Sequence, residues 1–298
     1  MNNAAPPFFV CVTLMHNGTN SLKTVALLGL LSAILIVGGR VIAGDRGIEY
    51  GLILAVVMNF ASYFFSDKIA LAMSGAQPLT PQSAPQAYAR IAPLVENMAR
   101  RMNIPMPKLY VTSEPSPNAF ATGRNPKHAS IAFTAGILQL MDDNELNGVI
   151  AHELGHVLHR DILISSVAAT IAAAIIAASR FAFFFGGGRR DERDSGSGLE
   201  ALLMLILGPI AAMMIQMAIS RTREYSADAA SAKYVGSPYP LIGALRKLDS
   251  WSHRIPMDAN PATSHLYIMK PLAGGGMMKL FSTHPSTEDR IARLEQMR

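Results

Sequence analysis

Cysteine is nearly absent, and the single Cys11 excludes both an internal disulfide framework and a cysteine-caged metal site. Charge is scarce as well. Only 16% of the 298 residues are Asp, Glu, Lys or Arg, where an ordinary soluble domain carries about 25%. Half of the chain is apolar and the mean hydropathy is +0.25, which excludes a disordered or collagen-like chain. The charge that is present leans basic, with 26 Lys and Arg against 21 Asp and Glu. A net +5 suits either nucleic acid or an anionic membrane surface. No compact cluster of basic and aromatic residues accompanies it, so no nucleic-acid partner is expected.

The apolar residues are concentrated in residues 22–39, 48–65, 162–185 and 199–219. Each stretch can cross about 30 Å of hydrocarbon at about 1.5 Å per helical residue. Their few charges, Lys23, Glu49, Arg180 and Glu200, lie near the ends, where side chains reach headgroups. The first two stretches, joined by residues 40–47, read as a transmembrane helical hairpin. The last two, joined by Gly186-Gly187-Gly188 and a polar loop over 189–198, read as a second hairpin. Pro209 and Gln216 in the fourth stretch leave a buried or tilted hairpin as its alternative. Residues 1–21 read as an N-terminal extension, neither a signal peptide nor a span, and Met15 is an alternative start.

Between and after the hairpins, residues 66–161 and 220–298 have the character of one small α+β domain split by the second hairpin. Pro78, Pro81 and Pro85 form a stiff linker. An amphipathic helix over 86–102 presents Ile91, Leu94, Val95 and Met98 on one face, with Arg90, Arg100 and Arg101 on the other. Residues 108–111 and 129–133 read as strands separated by a turn-rich segment over 113–127. A helix starts at Asp142 or Asp143, with Glu145 placed for a capping box and Leu146, Val149, Ile150, Leu154, Val157 and Leu158 at helical spacing.

That helix carries His152-Glu153-Leu154-Gly155-His156. Histidines at i and i+4 lie about 6 Å apart on one face, within reach of a single tetrahedral ion, and Glu153 can address a metal-bound water. His159 cannot join them, because it is about 10.5 Å along the axis from His152. A third ligand must come from elsewhere. The best candidate is Glu224, which with Asp228 forms an i, i+4 pair able to supply one metal ligand and one carboxylate behind a ligand imidazole. Taken alone, the same segment reads first as a solvated helix face.

Three separated motifs, His152 to His156, Arg221 to Asp228 and Ser282 to Ile291, resemble the HtpX family of bacterial membrane-bound zinc metalloproteases, relatives of the CAAX prenyl endopeptidases. The resemblance runs from about Met15 to the end, and the first twenty residues depart from it. It implies a mainly α membrane protein with two transmembrane hairpins and a small zincin-like (gluzincin) catalytic domain. By similarity, His152, His156 and Glu224 ligate one Zn2+ per chain and Glu153 is the general base. Asp228 resembles the supporting acid, His284 the residue that stabilises the oxyanion, and Arg290 its support. Asn118, Ala119 and Phe120, with Ile131, Ala132 and Phe133, correspond to an edge that would hold substrate backbone.

The resemblance also implies a bacterial inner-membrane protein with its catalytic domain in the cytoplasm. Its substrates would be misfolded or damaged membrane proteins, and its partners other quality-control proteases. Because His156 precedes the third stretch and Glu224 follows the fourth, both ends of that hairpin share one side and the ion sits near the lipid surface. Basic residues flank both sides, so charge alone does not set orientation. A catalytically silent metal-binding scaffold is the alternative. A metal transporter is less favoured, since the span centres offer only Asn59, Ser165, Ser166, Thr170 and Gln216.

Overall fold

A computed structural model describes residues 7–168, 170–171, 221–252 and 285–297. Helix α1 (Pro7–Phe64) folds back on itself at Ala43 and Gly44, where Gly44 takes φ 62°. Its two arms, Leu22–Arg40 and Ala43–Phe64, are long and apolar enough to cross a membrane. The expected eight-residue turn therefore contracts to a kink, and the second arm starts five residues earlier than the apolar run. Glycine explains the tightness: a Cβ on Gly39 would strike the Gly47 carbonyl, and one on Gly51 would lie 2.5 Å from the Leu35 carbonyl. A polar bond crosses the hairpin from Asn59 Nδ2 to Ser32 Oγ at 2.8 Å. Residues 7–21, expected as an extension, are helical and continuous with the first arm, with Pro7 at a helix start where its missing N–H costs nothing.

Of the expected second hairpin, residues 162–168 and 170–171 are helical, and residues 172–219 lie outside the described residues. Ile164, Val167, Ala168 and Ile171 of these helical residues pack against Leu27 and Leu31 of α1. The first apolar arm is thereby joined directly to the chain that leaves the metal-motif helix.

Helix α2 (Ser66–Met73) follows the hairpin, and strand β1 (Gln77–Pro78) leads into α3 (Pro85–Arg101). The α3 helix buries Ile91, Val95 and Met98 as its periodicity predicts. Arg90, expected on the solvent face, instead ties α3 to the start of the metal-motif helix through Asp143 at 2.7 Å and the Met141 carbonyl.

Strands β2 (Lys108–Thr112), β3 (Ala119–Gly123) and β4 (Ala129–Thr134) complete a sheet of order β1-β2-β4-β3. The β2 and β4 strands are parallel, whereas β3 is antiparallel to β4. Strand β3 lies inside the segment read as turns. All five of its residues are buried, so it shows no alternation of apolar and polar positions.

A short helix α4 (Ala135–Leu140) leads to α5 (Asp143–Leu158), the central element. The expected capping box is present: Asp142 accepts from the Glu145 N–H, and Glu145 accepts from the Asp142 N–H. Leu146, Val149, Ile150, Leu154 and Val157 share one core with Ile131 and Phe133 of the sheet. Helices α6 (Arg221–Val235), α7 (Tyr239–Ser252) and α8 (Thr287–Glu295) close the other side. Gly155 lets α6 approach α5 closely, because a Cβ there would lie 3.1 Å from Ala227 Cα. That contact sets the Glu224 and Asp228 turns of α6 beside the two histidines of α5.

Candidate active site

His152 and His156 stand one turn apart with ring centroids 4.9 Å apart and planes at 89°. Each directs Nε2 at Glu224, His152 at 3.7 Å from Oε2 and His156 at 3.6 Å from Oε1. The three donor atoms lie within 4.8 Å of one another. Tetrahedral ligands about 2.05 Å from an ion are about 3.3 Å apart, so a small contraction brings this set to bonding distance. Two imidazole nitrogens and a carboxylate oxygen are a donor set that fits a catalytic divalent metal and leaves a fourth position open.

The other nitrogen of each ring is also held. His152 Nδ1 lies 2.9 Å from Asp228 Oδ1, and His156 Nδ1 lies 3.2 Å from Asp161 Oδ2. With Nδ1 protonated and donating, each Nε2 keeps its lone pair for a metal. Asp228 is itself gripped by Arg290, whose Nε and Nη2 donate to its two oxygens at 2.9 and 2.6 Å. Arg290 Nη1 also lies 3.8 Å from Glu224. Only 1% of Arg290 is exposed, so this is a buried ion pair whose partners must stay together.

Burial makes the charges of the site unusual. It pushes the Glu153 carboxyl up to about 7, reinforced by nearby Glu224 and opposed by His156 and by the Ala121 N–H, which donates to Oε2 at 2.8 Å. Burial lowers the His152 pKa despite the Asp228 hydrogen bond. Against the same burial, the Asp161 hydrogen bond and the Glu224 and Asp161 carboxylates raise His156 to about 9. For Asp228, burial is outweighed by Arg290, which holds its carboxyl below the usual range.

The structure thus brings together His152, Glu153, His156, Glu224, Asp228 and Arg290. His284 lies outside the described residues. Asn118 precedes β3, with its N–H bonded to Thr134 Oγ1 and its carbonyl accepting the Thr134 N–H. Ala119 and Phe120 lie on β3, whose outer edge pairs with no strand among the described residues. Since Asn118 pairs with Thr134, the alternating residues Ala119 and Ala121 turn their backbone groups to that edge, where the Ala121 N–H is taken by Glu153. Ile131, Ala132 and Phe133, expected at the same edge, sit instead on β4. That strand is paired on both sides and has no backbone group to offer an added strand.

Sequence reasoning missed Asp161. It comes after the end of α5, where Arg160 takes a φ of 58° and folds the chain so that the Asp161 N–H meets the His156 carbonyl at 2.9 Å. The sequence signal, an acid five residues beyond the second histidine, has no meaning until that left-handed turn is known.

Comparison with known proteins gives the family. Residues 85–298 match the model of peptidase family M48. A protease HtpX homolog of Thermodesulfovibrio yellowstonii is 50% identical over 281 residues, covering 93% of this chain and 98% of that one. Another, from Sulfurihydrogenibium sp., is 48% identical over 288 residues, covering 93% and 96%. Among solved structures, the crystal structure of S. mikatae Ste24p aligns with a TM-score of 0.47 at 19% identity, covering 95% of this chain and 66% of that one. With most of its length matched by these relatives, this membrane protein belongs to peptidase family M48 and is a metallopeptidase.

Proposed function

We propose that the chain is a zinc-dependent endopeptidase of the bacterial inner membrane that hydrolyses peptide bonds of misfolded or damaged membrane proteins. The observation that carries this reading is the convergence of His152, His156 and Glu224 beside a buried Glu153. His152, His156 and Glu224 would hold the ion, which when bound polarises a scissile carbonyl and acidifies water. Glu153, already raised to about 7, takes the proton of the attacking water and delivers it to the leaving amide nitrogen. The Ala119 backbone groups and the Ala121 carbonyl on the β3 edge would align an extended substrate by strand addition. His284, by its resemblance, would donate to the developing oxyanion, and Arg290 with Asp228 would keep His152 oriented.

Two transmembrane hairpins with the catalytic unit on the cytoplasmic side form the topology we propose, with other membrane quality-control proteases as partners. The exposed apolar faces of both α1 arms support the lipid bilayer as the surrounding medium. An intact Glu153 beside the ligand set disfavours a silent metal-binding scaffold. The test is to purify the full chain in detergent with a chelator, then add zinc and a loosely folded membrane protein. Cleavage that appears only with zinc is expected. Cleavage indifferent to zinc overturns the proposal.

A further inference from the structure

The two histidines are served by two different carboxylates, and only one of them belongs to the motifs that identify the family. His152 is 1% exposed and backed by the Asp228–Arg290 pair. His156 is on the last turn of α5 and its side chain is 16% exposed, so packing fixes its ring less well. A ring that must present Nε2 to a metal needs its Nδ1–H held, or it can turn about its side-chain bonds. Asp161 is the group in position to do this. Its side chain is 3% exposed and lies 3.2 Å from His156 Nδ1. Its backbone N–H closes on the His156 carbonyl through the left-handed Arg160.

Asp161 is also a junction. Arg223, one residue before Glu224 on α6, is 4% exposed and interacts electrostatically with both Asp161 and Glu224. Its Nε and Nη1 make no hydrogen bond among the described residues. Lys23, at the start of the first apolar arm, interacts with Asp161 and Arg223 as well. The helix that begins immediately after Asp161 packs on Leu27 and Leu31 of that arm.

We propose that Asp161 is a positioning residue of this metallopeptidase, holding the Nδ1–H of His156 so that Nε2 faces the ion, at the point where the first apolar arm meets the metal site. The inference rests on the proposed zinc ligation.

The experiment measures zinc affinity of the full chain in detergent by competition with a chromogenic chelator, alongside the thermal unfolding of the chelated protein. For Asp161→Ala a 10- to 100-fold weaker affinity is expected, the usual cost of losing a carboxylate behind a ligand histidine. Asp161→Asn, which keeps an oxygen to accept from Nδ1, should retain most of the affinity and serves where the alanine variant does not fold. A purely structural role would lower the unfolding temperature of the chelated protein in both variants and leave the affinity of the folded fraction unchanged. That result overturns the inference, as does parental affinity in Asp161→Ala. A parent chain that holds no zinc instead overturns the functional reading beneath it.

Discussion

The α1 hairpin and the catalytic unit are built inside out with respect to each other. In the hairpin, large apolar side chains such as Val25, Ile53, Val56 and Val57 are exposed, and the contact between the arms uses glycines and the Asn59–Ser32 bond. In the catalytic unit the apolar side chains form a buried core and a cluster of charges is buried beside it, with Glu153, Glu224, Asp228 and Arg290 each under 7% exposed. The hairpin faces a medium as apolar as itself, so its arms hold together by close backbone packing rather than by hydrophobic burial. The catalytic unit gains its stability from a conventional core and loses part of it to desolvated charges.

Four changes should break or sharpen this contrast. The largest effect is expected from Arg290→Met, which leaves Asp228 buried without its cation. Breaking a buried pair from one side costs about 3–5 kcal/mol, read as a loss of unfolding free energy of the chelated protein in detergent.

Glu153→Gln should act in the opposite direction. A carboxyl raised from 4.5 to about 7 in the folded state costs nothing below pH 4.5, and its cost grows through that interval and is complete above pH 7. Removing the charge should therefore stabilise the chelated protein at pH 8, by at most on the order of 3 kcal/mol, and leave it unchanged at pH 4. Equal unfolding temperatures at pH 8 would show that Glu153 is solvated.

In the hairpin, Gly51→Val would force a side chain onto the Leu35 carbonyl. Overpacking of this kind costs about 1–3 kcal/mol, and cross-linking between cysteines placed at positions 32 and 59 should report the arms moving apart. The smallest effect belongs to Asn59→Ala, about 0.6 kcal/mol for one bond between membrane helices. A loss several times larger would mean that the hairpin depends on polar contacts as the catalytic unit does.

Much of the site was legible in the sequence because it obeys helical spacing. His152 and His156, and likewise Glu224 and Asp228, repeat at four residues, and the Asp142–Glu145 capping box marks the start of the motif helix. Placing the two pairs together required the Gly155–Ala227 approach, which spacing alone does not reveal. Strand β3 was hidden because it is buried throughout and built of Ala, Phe, Thr and Gly without alternation. Asp161 was hidden because a non-glycine residue, Arg160, makes the left-handed turn that sequence rules assign to glycine. Arg90 was read as solvated because its helix face is polar, and only the tertiary structure shows the Asp143 and Met141 acceptors opposite it.

The most direct test of the metal centre is zinc per chain, measured by elemental analysis beside the cleavage rate of a loosely folded membrane protein, for Glu153→Gln and Glu224→Ala. The account predicts that Glu153→Gln retains zinc and loses cleavage by about 10²- to 10⁴-fold, the usual contribution of a general base, while Glu224→Ala loses the zinc itself. Parental cleavage in Glu153→Gln, or full zinc content in Glu224→Ala, would contradict it.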